Sequence, residues 1–77
     1  MNLIKITNIS NPSKFDDYVA SSLVDVVYIE EISNNTVILS LEEGIDLNNL
    51  NDKQWVTGLI EQAITDCKEL SAKIVFQ

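Results

Sequence analysis

Hydrophobic positions along the chain change period several times, and each change marks an element. Ile4 and Ile6 alternate with Lys5 and Thr7, a period of two that predicts a strand over Leu3–Ile9. Ser10-Asn11-Pro12 breaks the pattern. Asn11 suits a helix cap, and Pro12 at the first helical position has no N–H to leave unpaired. Phe15, Tyr18, Val19, Ser22 and Leu23 then recur at helical spacing, so a helix over Pro12–Ser22 follows, with Asp16 and Asp17 read as first-turn anions. Two β-branched runs come next, Val24–Ile32 and Thr36–Leu41, joined by Ser33-Asn34-Asn35 as a turn. Burial sets their register. A three-residue loop pairs Ile29 with Leu39 and Val27 with Leu41, whereas a two-residue loop puts Glu30 beside Leu39 among buried side chains. The longer loop is therefore expected.

Gly44 and the asparagines that follow mark residues 42–50 as a loop. Asn51 reads as the cap of a second helix, with Gln54 completing a capping box. Val56, Leu59, Ile60, Ala63, Ile64, Cys67 and Leu70 form its apolar stripe, and Glu69 falls on the wet side. Gly58 sits in mid-helix at a cost of ~1 kcal/mol against Ala, which a close approach of helix to sheet would offset. Ala72, Ile74 and Phe76 alternate as a last strand. The order β-α-β-β-α-β predicts an α+β fold of ferredoxin-like arrangement. Four antiparallel strands have the first and third at the centre, and two helices pack on one face. A β-meander carrying one long helix is the fallback. At 77 residues the chain is a single domain spanning 1–77.

Composition narrows the chemistry. There is no His and no Arg, and Cys67 is the single thiol. Imidazole-activated nucleophiles, His-based metal sites, disulfides and thiolate zinc sites therefore have no side chains to build them. Cys67 reads as a small apolar core residue. Five lysines scattered singly in a chain of net charge −7 argue against direct nucleic-acid binding, which depends on clustered cations. The N-terminal residues lack a signal-peptide pattern, and no run approaches the ~20 apolar residues of a membrane span, so a cytoplasmic protein is expected. The Ile- and Asn-rich, Arg-free composition fits an AT-rich coding sequence.

Three acidic pairs stand out: Asp16-Asp17, Glu30-Glu31 and Glu42-Glu43. Adjacent carboxylates on a strand point to opposite faces, and nothing near them supplies the apolar pocket that splits catalytic pKa values. The segment from Asp46 to Asp52 misses the EF-hand pattern, with Leu50 at the fifth position and Thr57 at the twelfth. No metal, cofactor or enzymatic activity is expected. The loop reads instead as a contact surface, with Glu42, Glu43, Asp46 and Asp52 interleaved by Ile45 and Leu47, and Leu50 stapled under the helix. Asp16, Asp17 and Glu30 form a second acidic group.

In size, charge and composition the chain resembles the small acidic inhibitors that phages and mobile elements direct against host proteins; no sequence motif carries the likeness. The resemblance implies a non-enzymatic protein-interaction module that presents carboxylates to a basic, nucleic-acid-binding surface, as a nucleic-acid mimic would. The alternative is a self-associating ferredoxin-like structural or small-ligand-binding domain. It would form a homodimer through an open sheet face carrying Tyr28, Ile38, Val75 and Leu3.

Overall fold

The computed structural model describes residues 3–77. It runs β1 (Leu3–Thr7), α1 (Pro12–Ser22), β2 (Val27–Ser33), β3 (Thr36–Leu41), α2 (Leu50–Asp66) and β4 (Lys73–Phe76). The four strands form one open antiparallel sheet in the order β2-β3-β1-β4, with β1 and β3 central. Alternation along the strands puts Ile4, Ile6, Val27, Val37 and Leu39 on a buried face. They join Phe15 and Val19 of α1 and Val56, Ile60 and Ala63 of α2 in a single core cluster, so both helices cover the same side of the sheet.

Several boundaries differ from the sequence reading, each for a local reason. β1 stops at Thr7 because Asn8 takes a positive φ of 60°. Ile9 is nonetheless fully buried, and its amide donates to the Asn35 carbonyl at 2.9 Å. The Asn35 side chain donates back to the Ile9 carbonyl at 2.7 Å. β2 begins at Val27 rather than Val24, because Leu23–Val26 closes α1 through a turn in which the amides of Val26 and Val27 both donate to the Leu23 carbonyl. Asp16 and Asp17 fall past the first turn of α1, where no acidic residue sits.

The hairpin resolves the register argument in an unforeseen way. Ser33 pairs with Thr36 and Ile32 with Val37, so the turn is the two residues Asn34-Asn35 and not the three expected, with Asn34 at φ 53°. Closer to the helices, Ile29 still faces Leu39 and Val27 still faces Leu41. A β-bulge between Ile29 and Glu31 reconciles the two. The extra residue is Glu30, which stays exposed while the apolar residues before it keep their inward face. The Asn-Asn turn and the burial requirement are both met at the cost of one unpaired residue.

Helix α2 is capped by Asn49, not Asn51: the Asn49 side chain accepts from the Asp52 amide at 3.1 Å. This choice places an acidic residue in the first turn, where the helix dipole favours it. It also makes Leu50 the first helical residue, and Leu50 is exposed instead of stapled. At the other end the helix stops at Asp66. The Lys68 amide donates to the Thr65 carbonyl and the Glu69 amide to the Ile64 carbonyl, with Lys68 at φ 59°. That is a Schellman closure with lysine in the left-handed position usually given to glycine. Leu70, past this stop, leaves the apolar stripe and is 82% exposed. Gly58 makes no close approach to the sheet, since a Cβ there would meet nothing within 4 Å.

Candidate functional site

The chain direction through the fold gathers several acidic residues at one end of the sheet. There α1 hands over to β2, and β3 hands over to α2. The amide of Glu42 donates to the Val26 carbonyl at 2.9 Å, which fastens the start of the β3–α2 loop to the α1–β2 turn. Asp25 in that turn thereby joins Glu42, Glu43, Asp46 and Asp52. Sequence reasoning missed Asp25, an isolated acid between two valines; the signal for it was the topology, which returns β3 beside the start of β2.

The loop is held by its own polar groups. Asp46 accepts from the Asn48 amide at 2.9 Å, and the Asp46 amide donates to the Asp52 carboxylate at 3.1 Å. The Asn49 amide donates to the Asp46 carbonyl at 3.0 Å, and Gly44 supplies the turn at φ 92°. Asp46 and Asp52 are therefore committed in part to shaping the loop. Among the described residues, the Glu42 and Glu43 side chains make no hydrogen bond, and Glu43 is exposed. Ile45 and Leu47 pack against the core, so the outward surface of this loop is polar. The exposed apolar residues nearby are Val24, Leu50 and Trp55, at 57%, 67% and 51%.

The second acidic group is not drawn into this cluster. Asp16 and Asp17 lie in the middle of α1, and Glu30 sits in the bulge of the edge strand β2. The outer face of the sheet carries Tyr28 and Val75, at 45% and 43% exposure, together with the less exposed Ile38. Lys5 pairs with both Ile38 and Val75 and so places a cation inside that apolar strip.

The most constrained carboxylate lies at the opposite end. Glu69 is only 4% exposed. Its Oε1 accepts from the Ser10 amide and hydroxyl, both at 2.8 Å, and its Oε2 from the Asn11 amide at 2.9 Å. Burial pushes its pKa up, but these hydrogen bonds and the charge of Lys14 together hold it below the ordinary 4.5. It ties the loop after α2 to the start of α1. Tyr18 donates to Asp66 at 2.6 Å, which joins the helices directly, and that bond raises the phenol's pKa and lowers the carboxyl's. Cys67 is buried, and burial raises its thiol pKa. These are structural arrangements, and no group of three potential metal ligands occurs among the described residues. Nor, among those residues, is any helix long and apolar enough to cross a membrane.

Compared with protein-family models, with curated proteins and with solved structures, the chain gives no match to any of the three.

Proposed function

We propose that the chain is a non-enzymatic interaction module whose acidic end engages a basic surface on another protein, most concretely a surface that otherwise binds nucleic acid. The observation that supports this reading is the fastened loop. Asp25, Glu42, Glu43, Asp46 and Asp52 share one end of the sheet, on a segment ordered by the Glu42–Val26, Asp46–Asn48 and Asp46–Asp52 hydrogen bonds. A preordered set of carboxylates loses little side-chain and loop entropy on binding. Complementary potentials then accelerate encounter and set specificity. The reading includes a cytoplasmic setting and an origin in a phage or mobile element, in keeping with the composition.

The fold proposal is ferredoxin-like. Reading the sheet from its other edge gives β4-β1-β3-β2, and the β-α-β-β-α-β order with both helices on one side supports that assignment.

The functional reading is tested by retaining proteins from a bacterial lysate on the immobilised chain. The control is the triple variant Asp25→Asn, Glu42→Gln, Glu43→Gln, which leaves the loop-shaping Asp46 and Asp52 in place. Basic proteins held by the wild type, released by duplex DNA and not held by the variant support the proposal. Equal retention by both chains removes the acidic end from the interface. A retained set with no excess of basic proteins removes the electrostatic account altogether.

A further inference from the structure

β4 is an edge of the sheet, and its open margin borders a groove under α2. Leu3 and Gln77 exchange both backbone hydrogen bonds, at 3.2 and 2.9 Å. In an antiparallel pair, bonded and non-bonded positions alternate, so Val75 and Lys73 also turn their backbone groups toward β1. The N–H and C=O of Ile74 and Phe76 therefore point outward from the sheet. The side chains of the same two residues turn to the helix side, where they are half-buried against the core. Phe76 lines both of two adjoining hollows, of about 470 and 450 Å³, that also share Thr57 and Glu61, and Ile74 lines the first. Ile64 and Ala72 extend the apolar floor at one end, and Leu50 extends it at the other.

The helix wall above this floor has a defined polarity. The Thr57 and Thr65 hydroxyls donate back to the carbonyls of Lys53 and Glu61 within α2, at 2.6 and 3.0 Å. The Lys53 ammonium lies 4.7 Å from the centre of the Phe76 ring, a cation–π contact. That leaves the Glu61 carboxylate as the anionic group bordering both hollows.

We propose that this margin accepts an extended segment of a partner protein as a fifth strand, whose side chains facing α2, at every second position, are apolar residues with a Lys or Arg among them. The backbone of such a segment would pair with Ile74 and Phe76. Its apolar side chains on the α2 side would enter the hollows, and the cation on that same side would meet Glu61. Charge selects this occupant over a second copy of the chain, which would bring a further −7 to the same edge. The inference does not depend on the acidic end, whose Asp25, Glu42, Glu43, Asp46 and Asp52 line neither hollow.

The test is a titration of the isotope-labelled chain, followed by amide NMR and hydrogen exchange, with a synthetic decapeptide whose every second residue runs Val, Lys, Val, Lys, Val, with Thr between them. The control Val-Glu peptide carries Glu in place of each Lys. The proposal expects saturable shifts centred on β4 and on α2 near Glu61, with slowed exchange at the Ile74 and Phe76 amides. It also expects no such effect from the Val-Glu peptide. Affinity should fall on the order of tenfold for Glu61→Lys. Shifts confined to residues 25 and 42–49 would overturn the strand-addition proposal while leaving the acidic-end reading intact. Absence of saturation, or prior protection of Ile74 and Phe76 in a dimer of the free chain seen by sedimentation, would also overturn it.

Discussion

Replacing Glu69 by Ala removes the acceptor for three hydrogen bonds from Ser10 and Asn11, at 2.8 to 2.9 Å. Hydrogen bonds to a charged group contribute ~1.5–3 kcal/mol each when isolated. The three are not additive, however, and Ser10 and Asn11 are exposed, so water recovers part of the loss. A net cost of about 2–3 kcal/mol follows, a large share of the ~4–12 kcal/mol expected for a domain of this size. Thermal denaturation should show Tm lowered by about 10–20 °C. Glu69→Gln retains one acceptor oxygen but turns an NH2 toward a donor, so it should fall between the two. The pH dependence gives a second check. The folded pKa of Glu69 lies below its ordinary 4.5, so its stabilisation is complete well above 4.5 and is lost as pH falls through the lower, folded value. The stability gap between wild type and Glu69→Gln should therefore be constant near neutrality and narrow below about pH 4.5. A Glu69→Ala variant within 0.5 kcal/mol of wild type, on the scale of ordinary surface substitutions of about ±0.5 kcal/mol, would refute the reasoning. So would a gap that does not change with pH.

Other expectations follow from the same contacts. Gly58→Ala should stabilise the chain by about 0.5–1 kcal/mol, measured by urea denaturation, because the added Cβ meets open space and helix propensity improves. Lys68→Gly should also stabilise, by up to about 1 kcal/mol in the same assay, since it relieves a left-handed residue at a Schellman closure. Ultraviolet titration should find the Tyr18 phenol ionising above its ordinary 10.0, and Asp66→Asn should return it toward that value; an unmoved titration in the variant would show that Asp66 is not the cause.

What the sequence made legible was governed by periodicity, and what it concealed was governed by choices among equivalent local signals. α1 and β3 lie where the pattern puts them, because Asn11-Pro12 and the Thr36–Leu41 alternation each allow one reading. Asn49 and Asn51 are equally good caps in sequence; the Asp46–Asp52 hydrogen bond and the dipole preference for Asp52 separate them only in three dimensions. The bulge at Glu30 carries no glycine to announce it, and it arises because turn chemistry and burial demand registers one residue apart. Glu69 appeared to be a solvated helix residue because the helix was extended past Asp66, and Lys68 in a left-handed conformation gives little warning of the stop. The loop acids were legible individually as candidates. That Asp25 joins them while Asp16, Asp17 and Glu30 do not is a property of topology.

The account rests on the acidic end acting through its charge, and the direct measurement is binding of a retained basic partner against salt concentration, for wild type and for the Asp25→Asn, Glu42→Gln, Glu43→Gln variant. The account predicts an affinity that falls steeply with salt for the wild type. The variant should bind about tenfold or more weakly at low salt, with a shallower slope and an unchanged Tm. Identical affinities and slopes for the two chains would contradict it.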